Sequence, residues 1–346
     1  MGFENRPLKS LLLIWQESDL ERIITLTKEK IILDTDIGTD VDDALALAYL
    51  LSHPRCELVG ITTVTGQADV RARLASVVCH VAGMDDIPIF PGAEDCILIE
   101  QREKYVPQAT VLSKWNHGSN FPKHEAIPFM RQMIRENPGE ITLLGIAPMG
   151  NIARLFLLDP EIPSLLKGLY LMCGKFSQWE FRPWINYAQA NEHKPTAFEP
   201  AYAEGIVAGG LLEMNAVIDP FATGIVYQQK VTVHRSVGID MTQRVKLTTR
   251  ELRERSGNHE ILRPVLDMAE VNFAERDDVV FHDPLATVCI FNADICGFTR
   301  GNVEVELESN RLRGHTSFEE DPEGQHEVAS SVSPQRFFEE YFSVFS

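Results

Sequence analysis

The sequence predicts one large α/β domain with a mostly parallel central sheet flanked by helices, and three observations carry that expectation. Apolar runs of strand length alternate with stretches of helical period from residue 30 onward. The chain has 346 residues, of which 44% are hydrophobic and 24% charged, the balance of a soluble globular protein with a sizeable core. No internal repeat, low-complexity tract or linker divides it. Residues 1–29 read as an N-terminal accessory helical extension, and residues 30–346 as the main domain.

The alternation opens with KIILD (30–34), a short continuous apolar run that reads as a buried strand. DDALALAYLLSH (42–53) is the helix after it, ELVGITTV (57–64) the next strand, and DVRARLASVVCHVAG (69–83) the next helix. IPIF (87–90) follows as a short strand. Later, EAIPFMRQMIREN (125–137) is helical in period, EITLLGI (140–146) a strand, NIARLFLL (151–158) a helix and GLYLMCG (168–174) a strand. Such alternation implies right-handed crossovers and a sheet covered on both faces. Segments 100–125 and 174–195 break the rhythm and read as long loops or short helices over the sheet, where binding loops are usually found. KVTVH (230–234) and NVEVELE (302–308) are strand-like, and PQRFFEEYFSVF (334–345) is an amphipathic helix.

A formal charge of −18 argues against nucleic acid or an anionic membrane surface as a partner, since phosphate binding needs clustered Lys and Arg. It suits a small ligand that is neutral or assisted by a cation. The six cysteines are scattered and none forms a C-x-x-C pair, so buried thiols in a reducing cytoplasm are expected rather than disulfides or a zinc site. No apolar run approaches the ~20 residues of a membrane helix. The apolar burst near the N-terminus, LLLIW (11–15), is too short for a signal-peptide core and lacks a small-residue cleavage site.

One stretch stands apart. DTDIGTDVDD (34–43) holds Asp34, Asp36, Asp40, Asp42 and Asp43 between two apolar runs. An unpaired carboxylate in a low-dielectric place costs several kcal/mol or takes up a proton, so counter-charge is expected there. Extended backbone would point Asp34 and Asp36 to one side. Asp42 and Asp43 open a helix, where they would cap free amides or meet the positive end of the dipole, the remaining acids being solvated. An oxygen-rich, thiol-free cluster also suits calcium or magnesium, although the ligand spacing is not that of an EF-hand. The loop lies at the carboxyl end of a strand, where ligands of parallel sheets sit.

The stretch resembles the opening motif of the nucleoside hydrolases (the inosine–uridine-preferring group and relatives), D-x-D-x-x-x-D-D on a strand–loop–helix, with two extra residues in the loop. Further segments are similar in the family's order: GITTVTGQ (60–67), NHGS (116–119), ITLLGIAPMGNIA (141–153), LYLMCG (169–174), QAN (189–191) and HDPLA (282–286). The resemblance runs over residues 30–345 and makes 30–346 the catalytic domain. It implies calcium-dependent hydrolysis of the N-glycosidic bond of a ribonucleoside to ribose and free base, as in purine or pyrimidine salvage.

By the same resemblance, Asp36, Asp43, the carbonyl of Ile146 and Asp283 hold the calcium ion, and Asp36 is also the general base. Asp42 bonds a ribose hydroxyl, while Gln189 and Asn191 reach the other side of the sugar. Gln67 and Met172 are carried over as substrate-side residues. His282 is the expected proton or hydrogen-bond donor to the departing base, and His117 a second contact to it. The plainer role for Asp283 is to cap the helix that Pro284 opens, and for His117 an exposed loop histidine. Trp179, Phe181, Trp184 and Tyr187 stack on the base, form a lid or pack a long loop. The family's E-x-N is Gln189-Ala190-Asn191 here, and its Asn is Gln67; Asn186 is an alternative ribose-binding amide. A homo-oligomer, dimer or tetramer, is expected by the same likeness.

Two other readings compete. A haloacid-dehalogenase-type phosphohydrolase has D-x-D-x-T, which DTDIGT nearly mimics with the Thr one residue late. A non-catalytic calcium-dependent nucleoside- or sugar-binding protein would keep the metal and lose turnover. A Rossmann dinucleotide enzyme is disfavoured, because no G-x-G-x-x-G follows the first strand.

Overall fold

A computed structural model describes residues 28–176, 212–273 and 277–345. The strands are β1 (Glu29–Thr35), β2 (Cys56–Thr63), β3 (Ile89–Pro91), β4 (Ile141–Gly145), β5 (Gly168–Met172), β6 (His234–Val237), β7 (Lys246–Thr248), β8 (Asp278–Val280), β9 (Cys296–Val305), β10 (Thr316–Glu320) and β11 (His326–Val332). The principal helices are α1 (Asp42–Ser52), α2 (Ala68–Val81), α3 (Ala126–Glu136), α4 (Gly150–Leu158), α5 (Met214–Ile218), α6 (Pro220–Tyr227), α7 (Leu262–Phe273), α8 (His282–Phe291) and α9 (Pro334–Ser343).

Nine strands form one sheet in the order β10-β9-β11-β6-β5-β4-β1-β2-β3. Every pairing from β11 through β6, β5, β4, β1 and β2 to β3 is parallel; only β9 runs antiparallel, to β10 and β11. The mostly parallel sheet expected from the alternation is therefore present, with an antiparallel edge. β7 and β8 make a separate antiparallel pair.

Strand period sorts β1 between two cores. Ile31 and Leu33 join the apolar cluster of α1, α2, α7, α8 and α9, while Ile32 joins that of α3, α4, α5 and α6. α1 buries every residue from Asp42 to Leu51, so it is covered all round rather than amphipathic. Its Leu- and Ala-rich sequence has high helix propensity and needs no polar face.

Two strands, β6 and β9, depart most from the sequence-based expectation. β6 begins at His234, because pairing with β5 starts at Leu169↔His234; residues 230–233 precede the ladder. β9 starts earlier than NVEVELE, at Cys296, and ends at Val305, where its register with Thr316 closes the β9–β10 hairpin. The N-terminal extension lies outside the described residues, save for its last two positions, one of which, Glu29, begins β1.

Candidate active site

Strand order reverses at β1, which has β2 on one side and β4 on the other. Chain leaving the carboxyl ends of β1 and β4 diverges there and opens a crevice, the place where ligands bind in open α/β sheets. The acidic stretch leaves β1 into that crevice.

Its five aspartates do not all face one way, because only Asp34 lies within β1. Asp34 faces α4: its Oδ1 accepts from Thr62 Oγ1 at 2.6 Å and from Asn151 Nδ2 at 2.8 Å. Burial pushes its carboxyl up to about 7, and its Oδ2 is buried with no hydrogen-bond partner. Asp34 thus ties β1, β2 and α4 together and does not share a side with Asp36, because β1 ends at Thr35 and the chain turns. Thr35, of opposite parity, donates to Asp43 Oδ1 at 2.5 Å, and the Asp36 amide donates to the same oxygen at 3.2 Å.

Carboxylate oxygens of Asp42, Asp43 and Asp283 lie within 4.8 Å of one another, and all three residues are buried. Asp36 borders this group. Burial, then repulsion from Asp43, raises its carboxyl well above the usual range; Asp283 is raised by burial and then by Asp42, Asp43 and Asp36. Burial lifts Asp43 to about 7 even against its hydrogen bond from Thr35. Asp40 sits on the rim, where its Oδ1 accepts from the Val41 amide at 2.7 Å and its charge adds to the repulsion at Asp42. None of these acids stands at the cap position of its own helix: Val41 and Phe281 hold those positions in α1 and α8, and neither makes a side-chain cap bond. Among the described residues, none of Asp36, Asp42, Asp43 and Asp283 pairs with Lys or Arg.

The remaining expected site residues divide. Ile146 follows β4, and its amide donates to Asp34 O at 3.0 Å. Its carbonyl accepts from Asn215 Nδ2 at 3.2 Å, and the same nitrogen donates to the Met172 carbonyl at 2.9 Å. His282 opens α8 beside Asp283, its Nδ1 2.6 Å from Thr242 Oγ1. Gln67 stands just before α2 with a left-handed backbone, φ 59°, and its Nε2 donates to Lys104 O at 2.6 Å. His117 is half-buried, with Nδ1 2.6 Å from Gly118 O, a local contact within its own loop that leaves it apart from the acid group. Gln189, Asn191, Asn186, Trp179, Phe181, Trp184 and Tyr187 lie outside the described residues.

A buried set of like charges with only oxygen donors fits a hard divalent cation, which would restore the ionised forms that burial and repulsion oppose. No ring nitrogen or sulfur belongs to the group.

The family model described as inosine-uridine preferring nucleoside hydrolase matches residues 31–339. The chain belongs to that family. It is 26% identical over 312 residues to uridine nucleosidase 1 of Arabidopsis thaliana, covering 83% of this chain and 81% of that one. It is 25% identical over 303 residues to the inosine-uridine preferring nucleoside hydrolase of Leishmania major, covering 83% and 86%. In fold it is similar to a purine-preferring ribonucleoside hydrolase from Gardnerella vaginalis, with TM-score 0.71 and 21% identity over 92% of this chain and 98% of that one. A plant nucleoside hydrolase gives TM-score 0.72 at 20% identity, with coverage of 92% and 98%.

As a nucleoside hydrolase the chain is an N-ribosyl hydrolase, and the phosphohydrolase reading falls with the family match. Members generally bind a metal ion, and the acid group is a candidate place for one. Among the described residues no helix is long and apolar enough to cross a membrane.

One pair of residues escaped the sequence reading. Glu213-Met214-Asn215 is an E-x-N triplet that keeps the Glu which QAN lacks. Asn215 reaches the Ile146 and Met172 carbonyls at the ends of β4 and β5. Glu213, also buried, accepts from the amides of Gly174, Asn215 and Ala216 at 2.9, 2.8 and 3.1 Å, which fixes the start of α5. The intact triplet was the signal available in the sequence.

Proposed function

We propose that this nucleoside hydrolase depends on calcium, held by Asp36, Asp43, Asp283 and the Ile146 carbonyl, with Asp42 bonding a ribose hydroxyl. The observation that carries the reading is the convergence of buried carboxylates from α1 and from α8, distant in sequence, with no cationic side chain paired to them among the described residues. Calcium, when bound, would offer a roomy oxygen shell that takes vicinal ribose hydroxyls alongside protein ligands.

The protein's own groups supply the rest. Cleavage of the glycosidic bond develops positive charge on the sugar and negative charge on the departing base. Asp36 takes the proton of the attacking water, and the surrounding carboxylates favour the cationic ring. His282 donates to the base. Its Nδ1 lies 2.6 Å from Thr242 Oγ1, and the tautomer in which that hydroxyl donates carries the ring proton on Nε2, the form a neutral donor needs. Asn215 takes the sugar-side role carried over to Asn191, since it holds the two strand-end carbonyls that border the crevice. The six cysteines are free and buried, which fits a reducing cytoplasm.

The test is reducing-sugar release from common ribonucleosides, with and without chelator. Release that chelator stops and calcium restores is the expected result. Release indifferent to chelator removes the metal from the reading, and tight binding of a nucleoside without release favours the non-catalytic alternative.

A further inference from the structure

Arg71 is the largest completely buried side chain among the described residues, and it lies in α2 behind the acid group. Its guanidinium does not pair with the site's carboxylates. It reaches main-chain carbonyls instead: Nε donates to Thr65 O at 2.9 Å and Gly66 O at 3.0 Å, and Nη1 donates to Asp36 O and, at 3.4 Å, to Ile37 O. One side chain therefore fastens the loop after β1 to the turn after β2.

The clamp has its own buried counter-ion. Glu103 Oε1 is 3.3 Å from Arg71 Nη2 and accepts from Thr39 Oγ1, which in turn accepts from Arg71 Nη1 at 3.1 Å. Close backbone approach keeps Glu103 in place: a Cβ on Gly66 would meet Glu103 O at 2.3 Å. Gly38, at φ +123°, has a conformation that L side chains rarely adopt, and its carbonyl accepts from the Gln108 amide at 3.1 Å. Thr39 O accepts from Asn272 Nδ2 at 3.1 Å. Every carbonyl from Asp36 to Thr39 is thus held from outside the loop.

We propose that Arg71, Glu103 and Thr39 are positioning residues for the hydrolysis, a clamp that sets the backbone of Asp36 and hence where its carboxylate meets water and metal. This rests on the reading of Asp36 as base and ligand. Neutralising the cluster is not the clamp's task, because Glu103 offsets the charge of Arg71. Geometry is, since a guanidinium presents several donors in a rigid fork and an ammonium does not.

Thr39→Val tests the clamp with the least disturbance, because Thr39 is half-buried and the change is nearly isosteric. It is expected to lower kcat about 10- to 100-fold, the scale of a small misplacement, with KM nearly unchanged. Calcium affinity, read by calorimetry without substrate, weakens several-fold, and Thr39→Ser restores both. Arg71→Lys, which keeps the charge, is expected to fall in the same direction; if it does not fold, Thr39→Val still decides. Wild-type kcat and calcium affinity in Thr39→Val overturn the clamp. Asp36→Asn separates the two readings: if it is inactive while Thr39→Val is wild-type, only the clamp falls. If Asp36→Asn keeps turnover, the base assignment falls and the proposal falls with it.

Discussion

Asp159, at the end of α4, and the acid group at the start of α1 both bury carboxylates, and the chain treats them in opposite ways. Asp159 accepts from Arg131 Nε at 2.6 Å and from Arg135 Nε and Nη2 at 2.6 and 2.7 Å. Arg135 first, then Arg131, hold its carboxyl well below the usual range, against its desolvation. Asp36, Asp42 and Asp283 are driven the other way by burial and by one another. A carboxylate matched within the chain is complete as folded. Carboxylates gathered without a partner are stable as anions only when something from outside arrives, which is why the second group is the candidate for chemistry.

Removing a carboxylate from the unmatched group gives the largest expected effect. Asp43→Asn or Asp283→Asn should lower hydrolysis by about 10³-fold or more, beyond the lower end of what one acid–base group supplies. Either variant should also lose the rise in melting temperature that calcium gives the wild-type protein. Turnover and calcium response near wild-type in either variant would erase the contrast with Asp159.

The next effect sharpens the contrast through pH. Burial pushes the carboxyls of Asp34 and Asp43 up to about 7, from an ordinary value of 3.8. A carboxyl raised by folding stabilises the fold while protonated. That contribution is complete below about pH 4 and is lost as pH rises through about 7. Buried histidines act oppositely at lower pH: burial lowers His234 to about 3 and His53 to about 4, so their contribution is lost only as pH falls below about 6.5. Between pH 6.5 and 8 the carboxylates therefore dominate. Calcium-free protein should lose about 1 kcal/mol for each of Asp34 and Asp43 across that window. Saturating calcium should remove the Asp43 share, and the Asp34 share remains. Calcium-free stability that stays flat or rises, measured by thermal melts, would count against burial without counter-charge.

Local features of the chain were legible before the structure, and relations between distant segments much less so. Apolar runs such as KIILD and EITLLGI announce buried parallel strands because burial on both faces leaves no alternation to read. Five aspartates in ten positions announce a charge problem. Asp34 was placed on the wrong side because the strand stops at Thr35, a boundary that no local residue marks. The E-x-N triplet at 213–215 was missed because a long aromatic segment precedes it and QAN lies closer to the preceding strand. Arg71 gave no signal at all. In an amphipathic helix it reads as a solvated face, and its partners are mostly main-chain carbonyls of other segments, invisible in side-chain spacing.

Asp159 itself carries the smallest expected effect, and it is the one that tests the matched half of the comparison. Its partners Arg131 and Arg135 keep 48% and 37% of their side-chain surface exposed, so water and salt screen the pairs. Asp159→Asn retains an acceptor and removes only the charge, which should cost about 1 kcal/mol in chemical denaturation at pH 7. That cost should shrink as salt rises. A carboxyl lowered by folding contributes above its unfolded range and loses that contribution as pH falls below about 4, so variant and wild-type should converge in acid. Turnover and the calcium response should stay at wild-type level throughout. A loss of turnover in Asp159→Asn at neutral pH would mean that a carboxylate completed by its own arginines still serves the reaction, and internal pairing would no longer separate structural acids from working ones.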